Sequence, residues 1–172
     1  MIDFDTERLQ LRALAPQDES LYLDLYCDAE TMRFIGPTLS RERAARSFRA
    51  VRRQMRLRPE EGVVFAIVEK AGDTAGAIGI CSVLGVAGRR AEIGIMMHKA
   101  SRVRGLATEA LTALARRAFT LFPIDEVWCQ FAVEHIAVER MVTSSGFSAT
   151  APEPAQQAAG LRRWAVRRGG AT

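Results

Sequence analysis

The most pointed chemistry in this 172-residue sequence lies between residues 102 and 108. Arg102 and Arg104 flank Val103, Gly105 follows, and Leu106, Ala107 and Thr108 lead into an apolar-striped segment. In that segment Leu111, Leu114, Ala118 and Leu121 recur at three- and four-residue steps, the period of a helix. The first turn of a helix presents N–H groups without intrahelical partners and carries a partial positive charge. Two arginines and a glycine at such a place form an anion cradle: Gly105 admits a ligand close to the backbone, and phosphate is the anion that fits best. No Gly-x-x-x-x-Gly-Lys-Ser/Thr and no Gly-x-Gly-x-x-Gly occurs, which excludes a mononucleotide P-loop and a dinucleotide fingerprint. The competing reading is an ordinary surface turn with solvated arginines.

The elements that must position the cradle follow from periodicity. Ahead of it, Ala91, Ile93, Ile95 and Met97 alternate with Glu92, Gly94, Met96 and His98, which predicts a strand. Beyond the helix, residues 126–133 predict another strand, and the intervening helix lets the two pair in parallel. Residues 62–69 form a strand covered on both faces, and residues 75–84 another, in which Gly76 and Gly79 suggest close packing or distortion. Joined by a turn at residues 70–73, these two precede the strand at 91 in an antiparallel meander. Leu9 and Leu11 alternate with Arg8, Gln10 and Arg12 in an opening strand. Pro16 starts a helix with Leu21, Leu25 and Ala29 inward, and residues 32–37 turn the chain. Ser40 caps a helix running to about Leu57, with Ala44, Phe48, Val51 and Met55 as its buried face. A short helix carries Ala137, Met141 and Val142 and ends at Gly146-Phe147; residues 151–160 read as a loop, 161–168 as a last strand and 169–172 as a frayed tail.

Hydrophobic residues at 48%, charged residues at 26% and a net charge of +4 are ordinary for one soluble domain, here residues 1–172. The acidic N-terminus is not a signal peptide, and no apolar run is long enough to span a bilayer. Cys27, Cys81 and Cys129 suggest neither a disulfide framework nor a metal site, and packing is their expected role. A cytoplasmic protein without metal or membrane partner is expected, as monomer or homodimer. The helix at 41–58 is unusually basic, with Arg46, Arg49, Arg53 and Arg56 on one line. It reads as a solvated face or as a site for an anionic partner; without interleaved aromatics, single-stranded nucleic acid is disfavoured.

Two stretches resemble the GNAT superfamily of acyl-CoA N-acyltransferases. Arg102-Val103-Arg104-Gly105-Leu106-Ala107 is similar to that family's Gln/Arg-x-x-Gly-x-Gly/Ala turn, with Ala-Glu-Ile-Gly ahead and Ala-Thr-Glu-Ala-Leu behind. Thr6-Glu7-Arg8-Leu9-Gln10-Leu11-Arg12 resembles the opening of the RimJ/RimL-like branch, which contains acetyltransferases of ribosomal-protein N-termini and relatives acting on small amines. The resemblance spans about residues 5–168. It implies an α/β (α+β) GNAT fold, with a mixed six- to seven-stranded sheet flanked by helices and a central parallel strand pair splayed around acetyl-CoA. It implies that Arg102, Val103, Arg104, Gly105, Leu106, Ala107 and Thr108 grip the pyrophosphate, that backbone N–H groups of Ile95, Met96 and Met97 face the thioester, and that Phe34 and Ile35 lie near the amine acceptor. The segment after residue 133 departs from the family: His135 replaces the Asn that contacts the pantetheine arm, Val138 replaces a Ser, and Val142 stands where other members place a Tyr acid.

Direct attack of an amine on a thioester needs an unprotonated amine, help for the oxyanion and a proton for the thiolate. At pH 7 a lysine-like amine lies about 3.4 units from its neutral form, roughly 4.6 kcal/mol, whereas a protein α-amine needs only about 1 kcal/mol. Glu92 is the preferred general base, directly or through a water; it lies on the same side of the strand as His98, and its competing role is an ion pair with Arg90. His135, with its near-neutral pKa, is the second candidate for base or acid. Gly94 is the expected place for a bulge that frees the strand's N–H groups. No side chain is a convincing acid. The expected activity is acetylation of a primary amine, a protein N-terminal α-amine or a small molecule. The alternatives are a non-catalytic acyl-CoA-binding module, or a ribosome- or RNA-associated protein using the arginine-rich helix.

Overall fold

The computed structural model describes residues 2–71, 76–102 and 105–169. The strands are β1 (Phe4–Asp5), β2 (Leu9–Ala13), β3 (Gly62–Glu69), β4 (Ala77–Ala87), β5 (Arg90–Met97), β6 (Glu126–Ala132), β7 (Ser148–Thr150) and β8 (Leu161–Arg167). They form one mixed sheet in the order β1-β2-β3-β4-β5-β6-β8-β7. Eight strands stand where six or seven were expected; β1 and β7 are two and three residues long, too short to show a period in sequence. The helices are α1 (Glu19–Cys27), α2 (Ala29–Met32), α3 (Arg41–Leu57), α4 (Leu106–Leu121), α5 (Ile136–Ser144) and α6 (Pro154–Ala158). The segment read as a loop at 151–160 thus contains α6, started by Pro154 at a position where a missing N–H costs nothing. The expected turn at Gly72 and Asp73, the tail from Gly170 and the cradle residues Val103 and Arg104 lie outside the described residues.

Two cores sandwich the sheet, which is why β3 is apolar almost throughout. Its Phe65 and Ile67 join Leu9, Ile93, Leu111 and Leu114 in the core beneath α4. Its Val64 and Ala66 join Tyr22, Leu25, Ala44 and Phe48 in the core beneath α1 and α3. Along α3, Ala44 and Phe48 are buried, whereas Val51 and Met55 are only half-buried. Its arginines largely find local partners: Arg46 pairs with Glu42, Arg49 with Glu19 at 3.9 Å, Arg58 with Glu61 at 2.6 Å, and Arg52 lies over the Phe48 ring.

The opening strand is an anchor. Thr6 Oγ1 donates to Glu109 at 2.5 Å, and Arg8 donates to the same carboxylate from its backbone N–H (2.9 Å) and its Nε (2.6 Å). These bonds clamp the first turn of α4 to the sheet. Arg12 makes a bidentate pair with the buried Asp18, 2.7 Å for each bond, where the chain enters α1.

The feature that organises the site is the parting of the two central strands. β5 and β6 pair in parallel only at Arg90↔Glu126, Ala91↔Val127 and Glu92↔Trp128. Past Glu92, β5 stays with β4 to Gly79↔Met97, while β6 stays with β8 to Ala132↔Leu161. A slot opens between them. It does not need the bulge expected at Gly94, where the β4–β5 register is unbroken; the register shift falls instead between Leu84 and Ala87, at the hairpin end. Past Glu92 each of the two strands keeps its pairing on the outer side only.

Candidate functional site

The slot opens into a cavity of about 420 Å³ that crosses the sheet, from α1 and α3 on one face to α4 and α5 on the other. Backbone polarity within it follows from register. His98 donates its N–H to Ile78 O at 2.8 Å, and hydrogen-bonded pairs alternate in an antiparallel ladder. Gly94 and Met96 therefore bond to β4, while Ile93, Ile95 and Met97 turn their backbone groups to the β6 side, the Ile93 N–H closing the last rung with Trp128 and those of Ile95 and Met97 directed toward the slot. The N–H of Met96 belongs to the Ile80 pairing and so, contrary to expectation, does not face the slot, though its half-buried side chain lines the cavity. Gly79 keeps the two strands this close: a Cβ there would meet Met96 O at 2.6 Å and Met97 Sδ at 2.7 Å.

Glu92 lines the cavity at the point where the strands part. Its Oε1 accepts a hydrogen bond from Gln130 Nε2 at 3.0 Å, and Gln130 Oε1 accepts one from Gln156 Nε2 at 3.0 Å. Gln156 lies on α6, so a chain of two amides runs from a surface helix to the carboxylate. Burial raises the Glu92 pKa above the ordinary carboxylate value, and the Gln130 bond opposes the rise. Arg90 does not neutralise Glu92; it points to Glu153 at 3.7 Å. His98 shares the strand face of Glu92 but lines a separate cavity of about 310 Å³, with Asp24, Asp28, Arg41 and Lys99.

His135 immediately precedes α5 and also lines the main cavity. Its ring stacks on Phe34, with centroids 4.6 Å apart at an interplanar angle of 23°. Burial first, and then the charge of Arg102, lower its pKa, so it is neutral at pH 7. Ile35 lies at the rim, 51% exposed. Arg102 donates to Met97 O at 3.1 Å and to Thr31 Oγ1 at 2.7 Å, and lies 3.5 Å from Glu30. It ties α2, and with it Phe34, to the end of β5.

Eight residues separate the end of β5 from α4, and Gly105 and Thr108 at the start of that helix line a separate cavity with Phe4, Thr6 and Glu109. Gly105 adopts φ +70°, a left-handed conformation that L side chains resist. The first helical bond there runs from Glu109 N–H to Gly105 O at 3.1 Å, so the N–H groups of Leu106, Ala107 and Thr108 point out of the helix end. The Leu106 side chain is buried in the core, which leaves only its backbone for binding.

Several residues in and behind the cavity carried no signal in sequence. Gln130, and Gln156 through it, become linked to Glu92 only by folding. Tyr26 lines the cavity, and burial, followed by the neighbouring Tyr22, pushes its pKa upward, so it stays a neutral hydroxyl. Cys129 lines the cavity as a thiol pushed up to about 12, by burial first and then by Glu92, and Cys81 is raised by burial. Neither can serve as a thiolate at neutral pH. Val138 and Val142 also line the cavity, so no acid occupies either place. Among the described residues no cluster of metal-ligating side chains occurs, and no helix is long and apolar enough to cross a membrane.

Sequence comparison with curated proteins gives no significant match. Among solved structures, the chain resembles RimL, a ribosomal L7/L12 alpha-N-protein acetyltransferase in complex with coenzyme A (TM-score 0.78, 14% identity, 94% of this chain and 95% of that one). It resembles spermidine N-acetyltransferase from Vibrio cholerae, in complex with CoA and spermine (TM-score 0.78, 15% identity, 96% and 99%). It also resembles an acetyltransferase from Agrobacterium tumefaciens str. C58 (TM-score 0.78, 20% identity, 96% and 94%). At these identities the likeness is one of fold. The family model for the acetyltransferase (GNAT) domain matches residues 8–148, and with that match the chain belongs to the GNAT acetyltransferases.

Proposed function

We propose that residues 1–172 act as one cytoplasmic domain that transfers an acetyl group from acetyl-CoA to a primary amine by direct attack. The observation that carries this reading is the parting of β5 and β6 past Glu92, followed along the chain by the outward N–H groups at the start of α4. The residues fit the cosubstrate: the amides of Leu106, Ala107 and Thr108, beside Gly105, would meet the pyrophosphate, while Arg102 is held by Met97 O, Thr31 and Glu30, and the slot would take the pantetheine arm past Val138 and His135. The N–H of Ile95 faces the thioester oxygen.

In the reaction the amine nitrogen forms the C–N bond, negative charge gathers on the carbonyl oxygen, and collapse breaks the C–S bond. Glu92 takes the proton from the amine; its raised pKa brings it closer to that of its task. His135, neutral and against Phe34, is the second group able to exchange a proton. The thiolate leaves with a proton from solvent, since valines occupy the positions where an acid would stand. That same lack favours a second reading, an acyl-CoA-binding module without turnover. Calorimetry with acetyl-CoA and thiol release across an amine panel test both: binding with turnover supports the enzyme, binding without turnover the module, and no binding removes both.

A further inference from the structure

We infer that the acceptor is a compact primary amine bearing one positive charge and an apolar aryl or branched-alkyl group; this rests on the acetyltransferase reading above. The part of the cavity under α1 and α3 is walled by Tyr22, Tyr26, Phe34, Val51 and Met55. Tyr22 and Tyr26 stack with centroids 4.4 Å apart, and Tyr22 is held by its hydroxyl 3.0 Å from Ser47 Oγ, so this wall is rigid. Glu92 is the only carboxylate among the described residues lining the cavity, and no lysine or arginine lines it. A second ammonium of a polyamine would be desolvated there without a partner. An acidic substituent would likewise meet no cation within the cavity.

A peptide N-terminus fits less well for a different reason. Each residue brings a backbone donor and acceptor that need partners, and beside Glu92 this part of the cavity offers few side-chain partners: Ser82, the tyrosine hydroxyls, and Gln54, which already donates to Glu61 at 3.3 Å. On the acetyltransferase reading the cavity must also take the end of the acyl arm, and the stacked Phe34 and His135 rings both line it. An apolar monoamine uses the same surroundings to advantage. Burial of its ammonium lowers the amine pKa, and Glu92 is placed to take the proton.

The test measures kcat/KM at saturating acetyl-CoA for phenethylamine, isobutylamine, spermidine and trialanine amide, alongside acetyl-CoA binding by calorimetry. The expected result is about a tenfold or larger preference for phenethylamine over spermidine and over trialanine amide. Spermidine or trialanine amide equal to or better than phenethylamine, with acetyl-CoA bound and amines acetylated, overturns the acceptor class and leaves the acetyltransferase reading standing. Binding without turnover of any amine overturns both. Gln54→Glu adds a carboxylate to the cavity lining beside Glu61, which Gln54 Nε2 bonds at 3.3 Å, and should raise the spermidine-to-phenethylamine ratio by up to roughly fivefold. An unchanged ratio overturns the argument from carboxylate count.

Discussion

Replacing Glu92 with glutamine probes the proton transfer with little change of shape. The substituted amide keeps an oxygen to accept from Gln130 Nε2, which in the native protein bonds Glu92 Oε1 at 3.0 Å. A positioned general base contributes about 10²–10⁴-fold, set against the roughly 4.6 kcal/mol that an amine of pKa near 10.4 requires to lose its proton at pH 7. The kcat of Glu92→Gln at pH 7 should therefore fall by about 10²-fold or more. As pH approaches the amine pKa, solvent removes the proton first and the gap should close. Stability should move the other way. Burial raises the folded-state pKa of Glu92, so its contribution is most favourable below the ordinary carboxylate value and is lost as pH rises through the raised folded pKa. An uncharged amide removes that loss, and the variant should melt no lower than wild type at pH 7. Thiol release between pH 6 and 9.5, beside a thermal melt, measures both quantities. Normal kcat with an unaltered pH profile refutes the role of base; lost activity with a lowered melting temperature means that Glu92 is structural.

Other consequences can be checked independently. Gln130→Leu removes the bond that lowers the Glu92 pKa, so the acid limb of the kcat profile should move to higher pH, and Gln156→Ala should move it the same way by less. Gly105→Val forces a β-branched side chain to φ +70° at the helix end; it should raise the KM for acetyl-CoA about tenfold, for which Gly105→Ala is the milder control, and lower stability by ~1–3 kcal/mol in a melt. Gly79→Ala places a methyl 2.6 Å from Met96 O and should cost about 1–3 kcal/mol in denaturant unfolding while lowering kcat through displacement of β5. Burial raises the Glu109 pKa, but the bonds from Thr6 and Arg8 outweigh it and hold the pKa low. The stabilisation is thus present above the ordinary carboxylate pKa and lost as pH falls through the lowered value. Glu109→Gln should cost about 1–2 kcal/mol near pH 7, discounted for the exposure of Arg8, and nothing at strongly acid pH, as read from melts across pH.

Periodicity is local, and where an element is long enough to repeat, it was readable. The strand at 91–97, the helix at 106–121 and the helix at 41–57 follow from spacing alone, and the cap at Ser40 bonds Arg43 N–H as its residue type predicts. The short β1, β7 and α6 were not readable, because two to five residues show no period and form through their partners. The opening motif was visible as a pattern, but its purpose was not: Thr6 and Arg8 meet Glu109 across more than a hundred residues.

The chain by itself determined the order of strands and helices, the placement of Glu92 on a central strand and of Gly105 at a helix start. Those depend on neighbours within one or two turns. Only the tertiary structure decided where the slot opens, which of Ile95, Met96 and Met97 face it, and that Gln130 and Gln156 lead to Glu92. These depend on β5 remaining with β4 while β6 remains with β8, a competition between pairings far apart in sequence that no local pattern records.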